Sequence, residues 1–209
     1  MAQALGSSPV SVSVAYLIQE YWVCVLDSMN CSTMPLSIMP PLLHNLSEAN
    51  IPEAREEFAG LLNPENVVSN INERLARSDT PWSPAPPSQI AALIVFPAST
   101  AEVSAIMKIC SRRQIPVTSY CGGTSFHGAL TAIRGGVCID FKHMHQIIVI
   151  HPDDMDAVVQ PAVGWEELNA ALTHHSLFFP PDPGPGARIG GMVSSIDRNN
   201  PSIPGILID

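Results

Sequence analysis

A chain of 209 residues with 46% hydrophobic and 14% charged side chains can bury a sizeable core, which excludes disorder throughout. A net charge of -9 leaves too few cations for the broad basic face of a nucleic-acid binder, and disfavours docking on an anionic membrane surface. Twenty prolines exclude a long coiled coil. Five widely spaced cysteines without a CxxC pair argue for reduced thiols, with no metal site or disulfide framework expected.

Residues 10–26 form an apolar run broken by Gln19 and Glu20, at the short end of the range for a membrane span. No Lys or Arg precedes Arg55, so the segment lacks the positive n-region of a secretory signal and the arginines of a mitochondrial presequence. The preferred reading is an atypical extension, with a short packed helix or a membrane anchor as alternatives. Pro35, Pro40 and Pro41 mark residues 34–43 as a linker, so residues 1–46 are set apart from the rest. A helix is predicted over 47–62, with Ser47 as N-cap and Glu48 in its first turn, and a short one over 70–77. The Pro-rich stretch 81–87 reads as an extended crossing.

From Ala91 the pattern changes. The apolar run 91–96, closed by Pro97, reads as a buried strand. Ser99 and Glu102 have the spacing of a capping box, and Val103, Ile106, Met107 and Cys110 fall on one face of the helix that follows. Arg112 and Arg113 suit the helix C-terminus. Residues 115–118 complete a β-α-β unit, predicted as a parallel pair. Strands are predicted at 136–141, 147–150 and 157–160, in antiparallel or mixed pairing. A second amphipathic helix, 164–175, turns Trp165, Leu168 and Leu172 inward, and 177–191 reads as a Pro/Gly-rich loop.

Two segments carry chemistry. Cys121-Gly122-Gly123-Thr124-Ser125 follows a strand directly. Glycines let backbone N–H groups converge on an anion, and the hydroxyls add further donors. It lacks the Lys of a P-loop and the spacing of a dinucleotide fingerprint, and by itself it is also compatible with an ordinary tight turn. The second segment is Pro180-Pro181-Asp182-Pro183-Gly184-Pro185-Gly186 with Ile189-Gly190-Gly191-Met192. It reads as a loop with no use for core packing, open to close approach by a ligand or another segment. His174 and His175 end a helix and read as structural; His127 is a candidate contact to a ligand of the first loop. Glu166 and Glu167 read as solvated.

Taken in order, the segments of residues 47–193 resemble the FAD-linked oxidases with a PCMH-type FAD-binding domain, closest to the D-lactate dehydrogenase (cytochrome) group. Val95-Phe96-Pro97 with Ser99-Thr100 and Glu102-Val103 resembles that family's V-x-P-x-S-T-x-E-V segment. Ile115-Pro116-Val117 precedes the glycine loop. Asp140 and Met144 match its D-x-x-x-M, and residues 158–163 its V-V-Q-P-G-V. Residues 177–191 match its L-F-F-P-x-D-P-G and G-G-M segments. The resemblance implies an α+β fold, a small mixed sheet flanked by helices that forms the first subdomain and the start of the second. It implies FAD as cofactor, with Tyr120, Cys121, Gly122, Gly123, Thr124 and Ser125 around the pyrophosphate. Asp182, Pro183, Gly184, Gly190 and Gly191 would lie along the ribityl chain and flavin. The implied activity is oxidation of D-lactate or a related D-2-hydroxy acid, with electrons passed to a cytochrome. Mitochondria are the compartment by analogy, which the Arg-free N-terminus does not support. The alternatives are a non-catalytic FAD-binding or interaction fragment, and another PCMH-type oxidase such as an alcohol oxidase.

Two departures from the family pattern stand out. Ser119 and Cys121 replace the Pro and the first Gly of P-x-G-x-G-T-S, so Cys121 is expected to crowd the phosphate or to adopt an unfavourable φ. After Val193 the match stops. Residues 194–209 are expected to be an unrelated tail on a truncated chain without the substrate domain, and hence without known catalytic residues. An exposed apolar sheet face and a tendency to aggregate are expected with it.

Overall fold

A computed structural model describes residues 44–80, 84–125, 128–181, 183–195 and 206–208. The apolar run at 10–26, the linker at 34–43, residues 81–83, His127 and Asp182 lie outside the described residues.

Helix α1, Asn50–Leu61, starts three residues later than predicted. Ser47 does not cap it: its own N–H donates to the Asn45 side chain, and Ala49 occupies the cap position without a side-chain bond. Asn50 opens the helix instead. It is buried, and its amide donates to the Arg113 carbonyl at 3.0 Å while its oxygen accepts from the Arg113 guanidinium at 3.0 Å. A tertiary contact thus sets the start that local capping would have placed earlier.

After a 3-10 turn at Pro64–Asn66 come β1, Val67–Val68, and α2, Ile71–Ala76, which Asn70 caps by accepting from the N–H groups of Asn72 and Glu73. The Pro-rich crossing contains a 3-10 turn, Pro87–Gln89. It leads into β2, Leu93–Val95. Helix α3, Thr100–Arg112, has the expected cap, Ser99 accepting from the Glu102 N–H at 3.3 Å. The Glu102 carboxylate reaches back to the N–H of Ala98 rather than that of Ser99. Its predicted inward face, Val103, Ile106, Met107 and Cys110, is buried throughout.

Strands β3, Val117–Tyr120, and β4, Val137–Asp140, complete a four-stranded sheet of order β1-β2-β4-β3. The β-α-β unit is present and its strands run parallel, but they are not paired as predicted: β4 lies between them. The reason is burial. All four residues of β4 are buried, whereas those of β3 are half-buried or exposed, so the more apolar strand takes the centre. Leu93, Val95, Val137 and Ile139 face α1 and α3, packing on Ala54, Phe58 and Ile106. The other face carries Ile94, Phe96 and Cys138. Each fully buried side chain of this kind contributes about 1.5–3 kcal/mol.

A second sheet has the order β5-β6-β7, from β5, Ile147–His151, β6, Asp156–Val159, and β7, Ile206–Ile208. β5 and β6 form an antiparallel pair with a register shift between Ile147 and Val149; β7 runs parallel to β6. The sequence reading assigned no element to the segment that contains β7. Helix α4, Trp165–Thr173, buries Leu168 and Leu172 against Ala157, Val159, Phe179 and Ile189, with Trp165 only half-buried.

The second Pro/Gly-rich segment departs furthest from expectation. Residues 177–181 and 183–187 are irregular, but Ile189–Ser195 forms a helix, α5, and Phe179, Ala187 and Ile189 are buried. The segment therefore does supply core side chains: Phe179 and Ile189 lie in the second cluster, with Leu177, Met192 and Val193 packed against it.

Candidate functional site

The glycine loop leaves the C-terminal end of β3, beside the C-terminal ends of β4 and β2, the edge of a parallel sheet where ligands generally bind. Gly123 has φ +68°, a conformation that favours glycine, and a Cβ there would sit 2.7 Å from the Tyr120 hydroxyl oxygen. Gly122 backs onto the other Pro/Gly segment: a Cβ on it would lie 3.0 Å from the Gly186 carbonyl oxygen and 2.9 Å from Arg188 Cγ. Two loops some sixty residues apart in sequence thus meet through glycine backbone.

Cys121 does not have the unfavourable φ expected of it; among the described non-glycine residues, positive φ occurs at Gln114, Met155 and Ser176. Its side chain packs against the first core cluster, and the thiol donates to the Pro161 carbonyl at 3.2 Å. Burial pushes the thiol up to about 12, against the opposing pull of Arg188, so it is protonated and unreactive near neutrality. The same Pro161 carbonyl accepts from the Gly190 N–H at 2.9 Å. A Cβ on Gly190 would come within 2.7 Å of Pro161 Cβ. Gly190 is therefore glycine for packing. Gly184 and Gly191, by contrast, have nothing within 4 Å of an added Cβ and border open space.

Of the sequence-predicted site residues, Cys121 and Gly122 are brought against Pro161 and the Gly186–Arg188 segment, while Gly123 lies over the Tyr120 ring, which packs on the other face of the sheet. Thr124 is exposed, Ser125 and Pro183 half-buried. Glu166, read as solvated, is exposed but accepts from the Gly186 N–H at 3.2 Å and so helps to fix that turn. An open cleft of about 240 Å³ is lined by Cys121, Lys142, His145, Ala162, Glu167 and Arg188. Two full cations and one carboxylate face it, a local reversal of the chain's negative charge. Sequence reasoning missed Lys142 and Arg188 because neither stands in a motif. It also missed Arg77, which forms an ion pair with the buried Asp140 at 3.0 Å. Asp140 left two readable signals, its match to the D-x-x-x-M segment and its place as an acidic residue closing an otherwise apolar strand. No cluster of three or more His, Cys, Asp or Glu that could hold a metal occurs among the described residues.

The FAD binding domain family matches residues 91–196. The chain belongs to that family. It is 42% identical over 131 residues to the mitochondrial D-lactate dehydrogenase [cytochrome] of Arabidopsis thaliana, covering 63% of this chain and 23% of that protein. It is 37% identical over 179 residues to D-lactate dehydrogenase [cytochrome] 1, mitochondrial, of Saccharomyces cerevisiae, covering 81% and 30%. The chain thus spans between about a quarter and a third of the length of these relatives. Among solved structures, p-cresol methylhydroxylase with substrate bound superposes with a TM-score of 0.60 at 23% identity, over 68% of this chain and 28% of that one. That likeness establishes the PCMH-type fold expected from the sequence.

Proposed function

We propose that this chain is the FAD-binding part of a flavin-dependent oxidoreductase acting on D-lactate or a related D-2-hydroxy acid, with a cytochrome as electron acceptor. The observation that carries the reading is the meeting of the two glycine segments, Gly122 against Gly186 and Arg188, at the C-terminal edge of a parallel sheet. Membership of the family and the names of the relatives support it.

The residues present fit the cofactor. Gly122 and Gly123 carry N–H groups with no side chain in the way, and the hydroxyls of Thr124 and Ser125 suit phosphate oxygens. Lys142 and Arg188 give the adjoining cleft a charge that suits a diphosphate. Gly184 and Gly191 leave room for an extended ligand beside the second segment. FAD supplies the flavin that accepts a hydride from the α-carbon of the hydroxy acid, and the protein's part is to bind and orient it. Residues 47–193 make up this FAD-binding unit, and Asp182, Pro183 and Gly190 complete its second segment. Cys121 takes no part as a nucleophile, since its thiol is buried and protonated. The relatives' names also point to mitochondria, which cell fractionation checks.

The test is a titration of the purified 209-residue chain with FAD, following flavin fluorescence. Saturable binding in the micromolar range is expected. A folded chain that does not bind FAD overturns the reading. For the longer protein, turnover of D-lactate in preference to a primary alcohol is expected, and the reverse preference replaces the lactate reading with the alcohol-oxidase one.

A further inference from the structure

The glycine loop is held from outside by a group that no motif contains. Arg77 follows α2 and crosses the C-terminal ends of the sheet strands. Its Nε donates to Asp140 Oδ2 at 3.0 Å, and its guanidinium carbon lies 5.5 Å from the centre of the Phe96 ring and 6.0 Å from that of Tyr120. Glu73 pairs with it from the preceding turn. Asp140 is 1% exposed, and its other oxygen accepts from the Lys142 N–H at 3.0 Å. Tyr120 is the register partner of Asp140, and its hydroxyl end lies under Gly123. A continuous set of contacts therefore runs from Arg77 through Asp140 and the Tyr120 ring to the one loop glycine with positive φ.

Two features argue for more than sheet stability. A buried ion pair rarely adds net stability compared with apolar side chains of the same volume, so its presence at the sheet edge calls for a use. Asp140 is also the one charged residue among the buried positions of this sheet, and it lies directly beside the strand end that starts the loop. A planar guanidinium held by a carboxylate and set against a ring fixes the ring's position in a way that apolar packing does not.

We infer that Arg77 and Asp140 are positioning residues that act through Tyr120 to hold the Gly122-Gly123 turn in its ligand-receiving conformation. This rests on the reading of that turn as part of the FAD site. Removing Arg77 outright would leave Asp140 buried without its partner and endanger folding, so the informative variants are milder. Arg77→Lys keeps the charge but loses the planar surface against the rings. Tyr120→Leu keeps apolar bulk on the sheet face but withdraws the support under Gly123. Tyr120→Phe keeps the ring and serves as the conservative control.

The experiment reads alkylation of individual cysteines by iodoacetamide in the FAD-free 209-residue chain, together with FAD affinity. Cys121 adjoins Tyr120 and reports on the loop. Cys110 is buried between the sheet and α3, away from Tyr120, and reports on general loosening; Cys138 packs in the cluster that Tyr120 adjoins and is left out of the comparison. In Tyr120→Leu, Cys121 is expected to react about tenfold faster while Cys110 does not change, as local opening of one segment requires. FAD affinity is expected to fall about five- to tenfold, with Arg77→Lys intermediate and Tyr120→Phe within about twofold of the unaltered chain. Equal acceleration at Cys121 and Cys110, or unchanged FAD affinity in Tyr120→Leu, overturns the inference. If the unaltered folded chain binds no FAD, the functional reading fails, while alkylation in Arg77→Lys still decides whether the loop is positioned from Arg77: faster reaction at Cys121 alone supports the inference, and no change at Cys121 overturns it.

Discussion

β4 and β5 are both short, strongly apolar strands, Val137-Cys138-Ile139 in one and Ile147-Ile148-Val149-Ile150 in the other, yet the fold treats them oppositely. β4 is central, flanked by parallel neighbours and covered on both faces, and every residue in it is buried. β5 is the edge of the second sheet, and Ile148 and Val149 are 47% and 37% exposed. A run of apolar residues thus shows that a strand forms but not how many of its faces are covered. The comparison also locates the site: one loop leaves the rigid first sheet after β3, the other belongs to the second half, and the two meet at Gly122, Pro161 and Gly186.

The sharpest way to break this comparison is to shorten equivalent side chains in the two strands. Ile139→Ala should cost about 2–5 kcal/mol in urea unfolding, the range for a buried aliphatic cavity. Ile148→Ala should cost about 0.5 kcal/mol or less, as at exposed positions. Similar losses at both would mean that β5 is covered in solution.

The adjoining glycines sharpen the picture at the site itself. Gly190→Ala pushes a methyl into Pro161 and should destabilise by about 1–3 kcal/mol. Gly191→Ala meets open space inside α5 and should not destabilise, helix propensity adding up to about 1 kcal/mol, so that any loss appears in FAD affinity instead. Thermal unfolding and flavin fluorescence of the two variants separate a packing glycine from a binding one.

A smaller effect is expected from acid. The hydrogen bond from Arg113 holds Glu57 below its ordinary value of 4.5, assisted by Arg112 and opposed by slight desolvation. A carboxylate with a depressed folded-state pKa binds fewer protons in the folded state. Its contribution is therefore complete above pH 4.5 and fades as the pH falls through the lower folded value. For a half-buried pair at the surface, screened by solvent, the loss should be no more than about 1 kcal/mol, and Glu57→Gln should remove that part of the pH dependence between α1 and α3. The smallest change concerns the β5–β6 turn. Met155 has φ 55° and is 70% exposed, so Met155→Gly should stabilise by about 0.5–1 kcal/mol in the same unfolding assay.

Much of the first half was legible. The Ser99 cap, the four-residue inward face of α3 and the strand before it follow from local chemistry that reads the same in any fold. The glycine loop was legible for a related reason, since few uses other than a turn or a bound anion explain Cys121-Gly122-Gly123-Thr124-Ser125 after a strand. Ser47 misled because a good cap loses to Asn50, whose side chain satisfies the carbonyl and guanidinium of Arg113 at the end of α3. Residues 189–191 misled because paired glycines suggest a loop, whereas one of them, Gly190, is required by close contact with Pro161 inside a helix.

By itself the sequence determined the strand before α3, the cap and inward face of α3, and which two segments are candidates for a cofactor, because capping, periodicity and glycine chemistry act over a few residues. Only the tertiary structure decided that β4 separates β2 from β3, that Cys121 turns its thiol to Pro161, and that Arg77 reaches Asp140. Those outcomes depend on which surfaces are covered and which buried polar groups find partners, and contacts across some forty to sixty residues leave no local pattern in the chain.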